Sequence, residues 1–188
     1  MSKRVINQIV ARRMAMQDEE GGTLVEMATV FAFVYLPVFF GIVQLGIMLY
    51  TYNFVCLVSK QAARYASVRG DESCTISASF PNCNLSPTST GNPLQAYVRG
   101  LGFAGVNTSN ITVTATWWSA NITNPGDGTY SYTDWNTQCT TTDLNGNVCN
   151  SPGDAVKVVV TYPYSLNIPF VPKMTVNLSS TAQMVVTL

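Results

Sequence analysis

The chain has 188 residues, ten Lys plus Arg against ten Asp plus Glu, and no histidine. Zero net charge leaves no basic footprint for nucleic acid, and the missing imidazole excludes Ser-His-Asp and Cys-His nucleophile pairs and any zinc site that needs histidine. Charged residues are 11% of the chain, far below the usual quarter.

Polarity changes sharply along the chain. Residues 1–21 carry Lys3, Arg4, Arg12 and Arg13, then Asp18, Glu19 and Glu20; residues 27–59 carry no charge. The 21 residues from Val30 to Tyr50 contain only Gln44 as a strongly polar side chain. As a helix they span ~32 Å, about one hydrocarbon core. The run starts too late and is too long for a secretory h-region, and it lacks the polar face of a buried soluble helix. A membrane helix fits best; the basic residues before it favour a cytoplasmic N-terminus, Lys60, Arg64 and Arg69 beyond it weaken that vote, and the cysteines further on break the tie.

The helix continues past the apolar run. Phe54, Val58, Ala62 and Tyr65 recur at three- and four-residue steps as one stripe, leaving Lys60, Arg64 and Arg69 off it, with Gly70 at the C-terminal stop. One helix over about residues 24–69 is predicted, its first half in the membrane and its second half amphipathic. Pro37 should kink or loosen it, and Gly41 and Gly46 add softness or allow close helix approach.

From residue 71 onward Ser, Thr and Asn fill 43 of 118 positions, the composition of an exported, solvated surface. Asn92 and Pro93 open a short helix to about Gly102. Period-two alternation then predicts strands around 111–118, 130–135, 155–162 and 176–188. In the last, Val176, Leu178, Ala182, Met184, Val186 and Leu188 share an apolar face interrupted by Ser180. Such a sheet needs a cover, and the stripe of residues 51–69 supplies it. The fold class expected is α+β: a long N-terminal helix on a small antiparallel sheet.

Five cysteines occur. Cys56 continues the helix as a small apolar residue. Cys74, Cys83, Cys139 and Cys149 stand as two close pairs in polar loops, with no CxxC spacing. Bridges Cys74–Cys83 and Cys139–Cys149 in an oxidising compartment are favoured, and crossed connectivities stay open.

Gly21-Gly22-Thr23-Leu24-Val25-Glu26-Met27 resembles the processing site of type IV prepilins. Tyr50-Thr-Tyr-Asn-Phe54, Gln61-Ala-Ala-Arg-Tyr65-Ala and the ending Val158 to Tyr164, Ile168-Pro169 and Leu178-Ser-Ser-Thr-Ala182 resemble the TadE-like family of Tad (tight adherence) pilus proteins. The paired Gly21-Gly22 and Met27, where the family more often has an aromatic, depart from its pattern.

The resemblance implies a pilin-like fold divided into a leader (1–21), a membrane and assembly segment (22–50) and an exported domain (51–188). It further implies cleavage between Gly21 and Gly22, which puts Glu26 at position five of a 167-residue mature chain, counted from the 188. The implied role is a minor pilin or pseudopilin, a structural subunit in pilus assembly and adherence. Its partners would be a prepilin peptidase, other pilin subunits, the inner-membrane assembly machinery and lipid. It would reside in a bacterial inner membrane as precursor, then in the periplasm or outside the cell. Glu26 needs a partner at a membrane helix start, and a neighbour's processed amine is suitable.

Two other classes also find support in the chain. A membrane-anchored adhesin or ligand-binding module would use Trp117, Trp118, Tyr130, Tyr132 and Trp135 as an exposed aromatic patch. An enzyme would have to draw on carboxylates, of which Asp127, Asp134, Asp143 and Asp154 are the candidates, and Asp127 and Asp154 sit in ordinary turn sequences. Asp143, Asn145 and Asn147 alternate as calcium ligands can, without meeting the EF-hand pattern. No catalytic activity, cofactor or metal is expected.

Overall fold

A computed structural model describes residues 22–71, 85, 93–123, 131–169 and 171–187. Gly21, Cys74, Cys83, Asn92, Asp127 and Tyr130 lie outside them. The chain divides into two compact units. One holds the described residues up to Ile47 with Ser165–Met174; the other holds Met48–Tyr164 with Thr175–Leu188.

Helix α1 runs Gly22–Ser67, within two residues of the predicted bounds. The Pro37 expectation takes a specific form. Residues Phe31–Tyr35 make a π turn in which the Leu36 amide donates to the Phe31 carbonyl. Proline lacks an amide and its ring crowds the carbonyl four residues back, here that of Phe33. A wider turn just before it is the local relief. In the same unit, Gln44 Nε2 donates to the Asn167 carbonyl at 3.3 Å. A Cβ on Gly41 would meet Ile168 Cδ1 at 4.0 Å, ordinary contact, so Gly41 is not required there by space.

In the second unit α1 is amphipathic, as its stripe predicts. Phe54, Val58 and Ala62 are buried together with Val55, Ala63 and Ala66, while Lys60 and Arg64 are exposed. Tyr65 is only half-buried; it stacks on Tyr97 at 3.9 Å, and the Arg69 guanidinium lies 3.6 Å above its ring. Arg69 therefore belongs to the stripe's end rather than lying off it.

Helix α2 is Pro93–Gly100, two residues shorter than predicted, burying Leu94 and Val98. Strands β1 Thr112–Thr123, β2 Ser131–Cys139, β3 Ala155–Leu166 and β4 Met174–Val185 form a four-stranded sheet in the order β2-β1-β3-β4. β1 pairs antiparallel with both neighbours, Val113 opposite Val160 and Trp117 opposite Val156. Ile111, Val113, Trp117, Val156, Val158 and Val160 are buried, which makes the centre of the sheet the core. Helix and sheet give the α+β class expected.

The last strand departs from its predicted burial. Its parity is right: Leu178 and Val186 are buried and the alternate residues are exposed. Val176 and Met184, on the same face, remain 37% and 38% exposed. β4 is an outer strand of the sheet, and the cover there reaches Leu178 and Val186 while leaving Val176 and Met184 partly open. Ser180, the polar interruption, has its Oγ 3.0 Å from Ser59 Oγ on α1. Each serine removes the cost of burying the other's hydroxyl. Thr187 N donates to the Ser67 carbonyl at 2.9 Å, tying the end of the chain to the end of α1.

Candidate functional site

The candidate site is the start of α1. Gly22 is helical, with nothing within 4 Å of where a Cβ would stand. Glu26 is exposed and is the sole charged residue from Gly22 to Ser59. Its neighbours are bare as well: Leu24, Val25 and Met27 are 73%, 67% and 74% exposed. Thr29 spends its hydroxyl inside the helix, donating to the Val25 carbonyl at 2.7 Å. Glu26 is thus the single strong polar handle on this stretch.

From there to Tyr50 the helix offers apolar side chains to its surroundings. Phe31, Phe33, Val38, Phe39, Ile42 and Leu49 are all more than half exposed. No residue of its most apolar 18-residue window is buried within the protein. Water would charge about 25 cal/mol for each Å² of that surface, so lipid or other apolar helices are its natural surroundings. Length and apolarity suffice to cross a membrane.

The second group of site residues lies in the second unit. Cys139 and Cys149 form a disulfide, with Cα atoms 5.4 Å apart. The expected Cys74–Cys83 bridge lies outside the described residues. Cys56 is a free thiol. The loop inside the bridge is organised by Asp143. Its Oδ1 accepts from the amides of Asn145 and Asn147 at 2.8 and 2.7 Å, and its Oδ2 from their side-chain amides at 3.3 and 3.5 Å. Both oxygens are occupied in shaping a turn, and the Asn side chains donate to that carboxylate. No cluster of three or more metal-ligating acidic or cysteine side chains occurs among the described residues.

Asp154 is the residue sequence reasoning undervalued. It reads as a turn aspartate, yet it is 2% exposed. Oδ1 accepts from Ala120 N at 3.1 Å and Oδ2 is buried with no hydrogen-bond partner. Burial raises its pKa to about 6; the Ala120 and Ser151 amides pull it down, while Asp143 and Asp71 push it up. The only sequence signal was its place immediately before the most apolar strand.

The tryptophans are engaged within the fold. Trp117 is buried. Trp118 Nε1 donates to Thr116 Oγ1 at 3.1 Å and its ring lies under Lys157. Trp135 Nε1 donates to the Gly153 carbonyl at 3.0 Å. Three of the five aromatics proposed for a ligand patch therefore have structural employment.

The comparison with family models bears on the start of α1. Residues 21–64 match the TadE-like protein family. The TadE-like segment contains Gly21, Gly22, Glu26 and most of α1, including both the bare apolar run and the start of the buried stripe. It supports a Tad pilus-associated protein. No curated protein and no solved structure matches the chain.

Proposed function

We propose that the protein is a minor pilin or pseudopilin of a Tad-type pilus: a structural subunit, without catalytic activity, that takes part in pilus assembly and surface adherence. The observation that carries this reading is the TadE-like segment itself, an unburied apolar helix with one carboxylate near its start. A prepilin peptidase would cut between Gly21 and Gly22. That step removes Lys3, Arg4, Arg12 and Arg13 from the helix and with them its electrostatic hold on the cytoplasmic face. The freed helix then passes from lipid to a bundle of like helices, an exchange of one apolar surrounding for another.

Glu26 would pair there with the new amine of a neighbouring subunit. In a low-dielectric bundle either charge alone is costly, so the pair is an all-or-none requirement. The exported domain, closed by the Cys139–Cys149 bridge, suits an oxidising compartment. The partners follow: the peptidase, other pilin subunits, the inner-membrane assembly machinery and lipid.

The deciding experiment is the N-terminal sequence and mass of the protein from pilus-producing cells. The mature chain should begin Gly22-Thr-Leu-Val-Glu26. A chain that begins at Met1 in assembled material would leave the anchored adhesin as the better reading.

A further inference from the structure

We infer that the loop of residues 101–106 is a second membrane-contacting element, seated in the headgroup zone of the bilayer at the level of Tyr50. The inference rests on the membrane reading of α1 and adds a contact made by the exported domain.

The loop reads Leu101-Gly102-Phe103-Ala104-Gly105-Val106 and contains no charged side chain and none that can hydrogen-bond. That is at odds with its context, since 43 of the 118 residues from 71 onward are Ser, Thr or Asn. The loop inside the disulfide, Thr140 to Val148, shows what a water-facing connection in this domain looks like.

Its shape is fixed locally. Phe103 and Val106 form an isolated antiparallel bridge, with Val106 N donating to the Phe103 carbonyl at 3.1 Å. Gly102 and Gly105 have φ of 44° and 78°, left-handed values that a side chain resists. The turn projects Gly102, Ala104 and Gly105 outward, all exposed, with Leu101, Phe103 and Val106 half-buried behind them.

Its position is fixed by aromatic stacking. The Phe103 ring stacks on Phe54 at 4.2 Å and on Tyr50 at 5.0 Å. Tyr50 closes the apolar run and is 49% exposed. A tyrosine at the end of a membrane-length run marks the interface, where its ring meets acyl chains and its hydroxyl meets headgroups. Phe103, stacked on that ring, is held at the same depth. Arg99, in the last turn of α2, stands just before the loop; its Nη2 donates to the Ile111 carbonyl at 3.5 Å, and the rest of the exposed guanidinium lies where a cation suits phosphate headgroups.

The depth has a limit. The tip exposes backbone amides and carbonyls as well as a methyl group, and these need hydration. The loop therefore belongs among the headgroups and upper acyl carbons. A lipid surface satisfies both the apolar side chains and the wet backbone; a dry protein interface would strand the latter.

The test adds one tryptophan at a time to the full chain, reconstituted in phosphatidylcholine vesicles brominated either near the headgroup or deep in the acyl chains, with the unmodified protein's emission subtracted. Ala104→Trp reports the loop, Val38→Trp the helix, and Asn145→Trp the water-facing control. Quenching of Ala104→Trp should exceed that of Asn145→Trp by roughly twofold or more, as an interfacial residue's does. Strong quenching at 38 with equal, weak quenching at 104 and 145 overturns the inference while leaving the membrane helix intact. Weak quenching at all three sites overturns the membrane reading itself, and the inference with it.

Discussion

Asp154 Oδ1 accepts the amide proton of Ala120 at 3.1 Å, at the point where β1 slips register against β2 between Ser119 and Asn121. A bulge strands a backbone group that the ladder does not serve, and here a carboxylate serves it. The same residue's carbonyl accepts from Val186 N at 2.7 Å. Asp154 thus joins the irregular part of β1, the start of β3 and the end of β4.

This arrangement makes stability depend on pH. Burial raises the Asp154 pKa from 3.8 to about 6 in the folded protein. The folded state therefore takes up a proton that the unfolded chain does not bind until lower pH. Stability should rise as pH falls through about 6 and level off near the unfolded value. Urea unfolding of the detergent-solubilised protein, between about pH 7.5 and about pH 4.5, should show this gain, and Asp154→Asn should lose that part of the slope. Identical slopes in the two proteins would sink the assignment.

Opening the Cys139–Cys149 bridge should cost about 2.5–3 kcal/mol in the chain-entropy account of a loop this short. Unfolding of Cys139→Ser/Cys149→Ser against the oxidised protein measures it. Non-reducing thiol labelling should find Cys56 reactive once the protein is unfolded, with Cys139 and Cys149 protected.

Two positions on α1 should respond very unequally to the same change. Phe54 is 3% exposed and stacked on Phe103, whereas Leu57, three residues on, is 56% exposed. Phe54→Ala should destabilise by about 3–5 kcal/mol, and Leu57→Ala by no more than about 0.5 kcal/mol. Comparable losses would mean that the buried stripe has been assigned to the wrong face.

Processing and assembly should separate genetically. Gly21→Leu should leave full-length precursor in the membrane. Glu26→Ala should still be cut but fail to enter the pilus, because the neighbour's amine then lacks its counter-charge. Immunoblots of membrane and sheared-pilus fractions read both steps. Normal assembly of Glu26→Ala would refute the pairing.

Much of this was legible in the chain. Helix α1 announced itself by an uncharged run followed by a stripe, because both signals are local. Strand parity was legible too: Val113 and Trp117 in β1, with Ile111 just before it, and Val156, Val158 and Val160 in β3 are all buried as their alternation implies. What was hidden depends on partners distant in sequence. Ser180 looked like a flaw in an apolar face until Ser59 was found opposite it. Val176 and Met184 looked like core until strand order put β4 at the outside. Asp154 looked like a turn residue because nothing local reveals that the β1 bulge needs an acceptor.

The π turn at Phe31–Tyr35 carries a consequence for anyone drawing this helix as a wheel. A π turn acts as one added residue in an α-helix, and one residue is about 100° of rotation. Glu26 lies before that turn, so its azimuth differs by about 100° from the one a straight wheel assigns relative to residues 38–47. Which apolar side chains share a subunit interface with Glu26 must be counted with that phase jump included. Removing Pro37 gives the helix a reason to return to regular pitch, and the carboxylate would then swing to a different face without any change in the sequence around it.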